Sequence, residues 1–144
     1  MAVSPIPAGY HTVTPYLVLN DIREMVTFLE KAFDGKVKEK METPDGTIMH
    51  AEVIVGDSPI MMGMAREEWQ VSPAMLYLYV EDCDGVVARA LAAGATSLQE
   101  PEDQFYGDRV GAVTGPSGHS WWIATRKEDL SHDELMARAA SQGR

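Results

Sequence analysis

Cysteine, positive charge and long apolar runs are all scarce in this chain. A single cysteine, Cys83, excludes an internal disulfide and fits a reducing, cytoplasmic setting. The 12 lysines and arginines are outnumbered by 22 acidic side chains, for a formal charge of −10. No Lys/Arg cluster offsets this. Such a surface repels phosphate backbones, so nucleic acid and anionic membrane are not expected partners. The apolar stretches fall short of the roughly 20 residues that span a bilayer. The opening MAVSPIPAGYH has neither a basic start nor an apolar core, so no secretory signal is expected there. Cys83 lies near an expected helix start, which favours a thiolate, but between Asp82 and Asp84, which oppose one. An ordinary first-turn residue is the better reading than a catalytic thiol.

What remains is an ordinary globular composition, 45% hydrophobic and 24% charged over 144 residues. That suits one domain or two small modules sharing a core. The most informative feature is a self-similarity: YLVLND at 16–21 returns as YLYVED at 77–82. The same offset of 61 residues carries Gly56-Asp57-Ser58-Pro59 onto Ser117-Gly118-His119-Ser120. Two matches at one offset imply a duplicated supersecondary unit.

In the first copy, Thr14 to Leu19 alternates as a strand. Asn20 or Asp21 then caps a helix with Ile22, Met25, Val26, Leu29 and Phe33 on one face. Gly35 reads as the helix stop, and Pro44-Asp45-Gly46 as a hairpin turn after a charged strand, Lys36 to Glu42. The second copy runs through a strand at 75–80, a helix ending at Gly94, and strands near 96–98, 109–114 and 120–125. The expected organisation is a flexible segment 1–12, a βαβββ module 13–65, a linker 66–73, a second module 74–125 and a tail 126–144. The tail opens with a capping box, Ser131 to Glu134. The expected fold class is α+β.

Tandem βαβββ modules with these motifs resemble the vicinal oxygen chelate superfamily of glyoxalases, bleomycin-resistance proteins and dioxygenases. Within it, YGDRVGAVTGPSGHSWWIATRKEDLS at 106–131 resembles the PhnB-like subgroup, which has a Gly-Asp-Arg strand start, a turn of the DPFGH type and an EDvs tail. Gly115 stands where that turn usually carries aspartate. The resemblance implies an eight-stranded open barrel-like sheet around a cavity, and often a homodimer. Metal-dependent members place one His or Glu on the first and last strand of each module. Carried over by register, those positions are Thr14, Met61, Met75 and Trp122. Hydroxyl, thioether and indole are poor ligands for a divalent ion. No metal and no other cofactor is therefore expected.

Strand alternation sorts the faces. Leu17, Leu19, Leu76, Leu78 and Val80 face the helices, as do Met49, Ala51, Val53 and Val55. The opposite side receives Tyr16, Val18, Met75, Tyr77, Tyr79 and Trp122, together with Ile48, His50, Glu52 and Ile54. Tyr16, Met61, Met75, Tyr77, Tyr79 and Trp122 are thus candidate ligand-binding residues, unless they simply fill the barrel as core. His50 and Glu52, two apart on a strand, are the candidate acid–base pair, or a hydrogen-bonded pair without chemistry. Asp108 and Arg109 open a strand after an aromatic loop. Arg109 either clamps an anionic ligand group or ties down a loop through a salt bridge. Three functions stay open: a metal-independent small-molecule binder, a lyase, isomerase or dioxygenase using His50 and Glu52 or a non-standard metal, and a ligand-free structural or regulatory dimer.

Overall fold

A computed structural model describes residues 3–142. The chain runs through β1 (Tyr16–Leu19), α1 (Ile22–Phe33), β2 (Lys36–Glu42), β3 (Ile48–Val55) and β4 (Ser58–Met64). It then repeats the series with β5 (Met75–Tyr79), α2 (Cys83–Ala92), β6 (Thr96–Asp103), β7 (Asp108–Thr114) and β8 (Ser120–Arg126), and ends in α3 (His132–Ser141). The fold is α+β, as expected. Hydrogen bonding divides its eight strands into two open mixed sheets of four, ordered β1-β4-β3-β2 and β5-β8-β7-β6. In each, the first strand pairs parallel with the last, and the other pairings are antiparallel. Two compact units result: one runs to Ala74 and includes Pro116–Gly118, and the other holds the remainder.

Each helix forms because its start is capped and one stripe is apolar. Asp21 accepts the Glu24 backbone N–H at 3.2 Å and Asp82 accepts that of Gly85 at 3.1 Å. The buried stripe of α1 is Ile22, Met25, Val26, Phe28, Leu29, Ala32 and Phe33, set against Leu17, Leu19, Ala51, Val53 and Met62. In the second unit, Val86, Val87 and Ala90 of α2 are buried with Val113, Trp121 and Ile123. Ser131 and Glu134 form the expected capping box on α3.

Three local expectations are corrected. The left-handed residue ending α1 is Asp34, at φ 55°, and not Gly35. Gly35 is needed for space, since a Cβ there would lie 2.8 Å from Val53 Cγ1. β1 begins at Tyr16 because Pro15 has no N–H to give a ladder, which leaves Thr14 outside the strand with its hydroxyl on the His11 carbonyl at 3.1 Å. In β3, Met41 pairs with His50 but Glu42 pairs with Ile48, so Met49 is an extra, bulged residue. The bulge inverts the alternation: Ile48 is buried and Met49 half exposed, opposite to the expected faces. From His50 onward the faces hold.

The two adjacent tryptophans divide the same way. Trp121 is 0% exposed in the core of the second unit, whereas Trp122 is half-buried on the other face. Trp121→Ala should therefore cost about 3–5 kcal/mol of unfolding free energy, and Trp122→Ala clearly less. Urea unfolding followed by circular dichroism measures both. Equal losses would contradict the assigned faces.

Candidate functional site

In the first unit the candidates come together on the sheet face away from α1. Register aligns Tyr16 of β1 with Met61 of β4 and Glu52 of β3, while His50 aligns with Gly63. Gly63 is required here, because a Cβ would collide with the Tyr16 hydroxyl. The Tyr16 ring thus crosses β4 to within 5.9 Å of the His50 ring centre. On its other flank it meets the Trp69 ring, 5.2 Å away between centroids.

His50 Nε2 lies 2.9 Å from Glu52 Oε2, and the Tyr10 hydroxyl donates to Glu52 Oε1. The Lys38 ammonium sits 4.5 Å from the Tyr10 ring centre. Burial pushes the Glu52 carboxyl up, but hydrogen bonds from Tyr10 and His50 and the charges of His50 and Lys38 outweigh it. The group is held below its ordinary value. The Tyr10 phenol is pushed up, chiefly because its proton is given to Glu52. An ionised carboxylate accepts only, so it selects the His50 tautomer protonated on Nε2 and leaves Nδ1 as a base. This triad can move a proton.

The second unit presents Met75, Tyr77 and Tyr79 of β5 in register with Ser120, Trp122 and Ala124 of β8. Both tyrosine hydroxyls donate to Asp108 Oδ2, at 2.8 Å from Tyr77 and 3.2 Å from Tyr79. Their rings meet edge to face, 5.4 Å apart. Burial, followed by the Asp108 carboxylate, pushes both phenols up, and the Tyr106 hydroxyl adds to this at each. Arg109 is one residue on and so points to the opposite face. There it forks onto Asp84 at 2.6 and 3.0 Å and reaches Asp103 at 3.2 Å, which is the loop-tying geometry. Cys83 is buried with its Sγ 3.1 Å from the Ile123 carbonyl, and burial pushes its thiol up, away from a reactive thiolate.

Three participants escaped the sequence reading. Trp69 was the lone aromatic of a polar linker, a signal that was available. Asp108 had the right strand parity, but only the β7–β8 register sets it beside the tyrosines. Tyr10 lies in the proline-rich leading segment, where no periodicity marks it.

The sequence profile described as the glyoxalase/bleomycin resistance protein/dioxygenase superfamily matches residues 10–123. The chain belongs to this superfamily. Among relatives of this superfamily member, uncharacterized protein Mb0911c of Mycobacterium bovis is 34% identical over 99% of both chains. Uncharacterized protein Rv0887c of Mycobacterium tuberculosis is also 34% identical, over 99% of this chain and 88% of its own. Of solved structures, TioX from Micromonospora sp. ML1 superposes with a TM-score of 0.67 at 24% identity, covering 84% of this chain and 100% of TioX. A glyoxalase/bleomycin resistance protein/dioxygenase family enzyme from Burkholderia phytofirmans gives 0.65 at 21% identity, covering 77% and 94%. These structural likenesses establish the fold.

The four positions carried over from the resemblance bear no strong ligand for a divalent ion. Thr14, Met61, Met75 and Trp122 offer no imidazole, thiolate or carboxylate. Among the described residues no three His, Cys, Asp or Glu side chains converge.

Removing the Tyr10 hydroxyl, Tyr10→Phe, should raise the Glu52 carboxyl pKa towards its ordinary value, as read by carbon-13 NMR titration. A depressed carboxyl contributes stability above its unfolded-state pKa and loses it as pH falls through the folded value. The variant should therefore be less stable near neutrality and lose less on acidification. An unchanged titration would rule out the Tyr10 bond as a source of the shift.

Proposed function

We propose that this superfamily member binds a small, flat, largely apolar molecule on the aromatic faces of its sheets, without the metal centre of its metal-dependent relatives. The reading is carried by one observation: apart from Thr14, the side chains at the transferred metal positions are thioether or indole, and aromatic rings adjoin them. Tyr16, Trp69 and Met61 share one face; Met75, Tyr77, Tyr79 and Trp122 share another. Such surfaces recognise rings by stacking and adaptable sulfur contacts. The Gly-Asp-Arg strand start at 107–109 and the turn at 115–119 support a place among PhnB-like members.

Tryptophan-fluorescence and thermal-shift titrations with a panel of flat heteroaromatic compounds test this, alongside elemental analysis of protein purified without chelator. The expected result is saturable binding by metal-free protein, with stabilisation of about 2.7 kcal/mol at a hundredfold excess over Kd. No saturable binding across a chemically diverse panel would refute it. So would a stoichiometric metal whose removal abolishes binding.

A second reading is favoured by the Tyr10–Glu52–His50 hydrogen bonds: proton transfer on the bound molecule, with His50 as base and Glu52 orienting it. His50→Ala should then lower any turnover by roughly 10²–10⁴-fold while ligand affinity changes little. Unchanged turnover would eliminate this reading and leave binding intact.

A further inference from the structure

We infer that Asp108, framed by Tyr77 and Tyr79, receives a positively charged nitrogen group, such as an ammonium, on the molecule this protein binds. The inference rests on the binding reading above and adds to it the sign of the ligand's charge.

Asp108 opens β7 on the same face as Tyr77, Tyr79 and Trp122. It is 7% exposed. A carboxylate withdrawn from water needs compensation, and here that compensation is two phenol hydroxyls converging on one oxygen, Oδ2. Among the described residues, no hydrogen bond is donated to Oδ1 and no basic side chain forms an ion pair with Asp108. Two neighbouring guanidinium groups bind other acids. Arg109 faces away onto Asp84 and Asp103, and Arg126, the register partner of Asp108 on this face, is bonded to Asp129 at 2.5 Å. Asp108 is thus held by phenol donors, with no ion pair among the described residues.

The surrounding rings suit the same partner. With both hydroxyl protons directed at the carboxylate, Tyr77 and Tyr79 keep electron-rich ring faces, set at 61° to each other as two walls of a corner. Tyr79 is 66% exposed, so a ligand can reach it. Tyr79 borders a cleft of about 760 Å³ together with Glu81 and Arg126, and Asp108 borders a separate one of about 470 Å³ whose lining includes Arg109 and Lys127. Both phenols resist ionisation, so they stay donors and add no competing charge. An anionic ligand would meet a desolvated carboxylate and a chain of charge −10, whereas a cation is steered inward. One carboxylate is too few ligands for a dedicated metal site.

The test uses the full chain with three probes: benzyltrimethylammonium, benzyl alcohol and benzoate, followed by calorimetry and amide NMR. Benzyltrimethylammonium should bind saturably, at least tenfold tighter than benzyl alcohol, and shift the amides of Tyr77, Tyr79 and Asp108. Benzoate should not bind. Asp108→Asn should weaken the cation at least tenfold and leave benzyl alcohol unchanged. Tyr79→Leu, at an exposed position, should weaken it by about fivefold, and this variant decides the matter if Asp108→Asn fails to fold. Wild-type affinity for the cation in the folded variants would overturn the inference, as would equal binding of benzyl alcohol. If flat neutral compounds still bind in either case, the binding reading stands and only the charge assignment falls. If they do not, both fall.

Discussion

Each half of this protein depends on one crossover helix covering one face of a four-stranded sheet. The helix leaves the first strand and delivers the chain to the far edge, and two antiparallel returns bring the last strand back beside the first. A helix can satisfy only one side of such a sheet. Leu17, Leu19, Ala51, Val53 and Met62 are driven beneath α1, and side chains of the other parity must gather on the opposite face. The chemistry of the protein is whatever evolution placed at that second parity.

The faces away from the two helices treat a carboxylate differently. Glu52 is embedded among a tyrosine, a histidine and a nearby lysine, so its charge is balanced and coupled to a group that can exchange protons. Asp108 is held by neutral phenols, while the guanidinium groups of Arg109 and Arg126 bind other acids. The first arrangement favours proton movement and the second favours holding a charge still. Related folds thus carry unlike chemistry through residue choice on the corresponding sheet face, which is why the fold itself does not name a reaction.

Much of the architecture was legible in the chain. The YLVLND and YLYVED echo exposed the duplication, Asp21 and Asp82 marked helix starts, and period-two alternation correctly sent Tyr16, His50 and Glu52 to one side and Leu17, Ala51 and Val53 to the other. The errors were local and had definite causes. A bulge at Met49 shifted parity for two residues, and a proline shortened β1. Asp34 took the left-handed position assigned to Gly35, because the glycine was needed against Val53.

Local patterning determined the elements, their order and most of the face assignments, because caps, turns and alternation act over a few residues. Which side chains meet was decided only by tertiary structure. Tyr10 reaches Glu52 across 42 positions and Tyr77 reaches Asp108 across 31. Such pairings arise from strand register and from the path of the leading segment over the sheet, and a linear pattern carries no record of either.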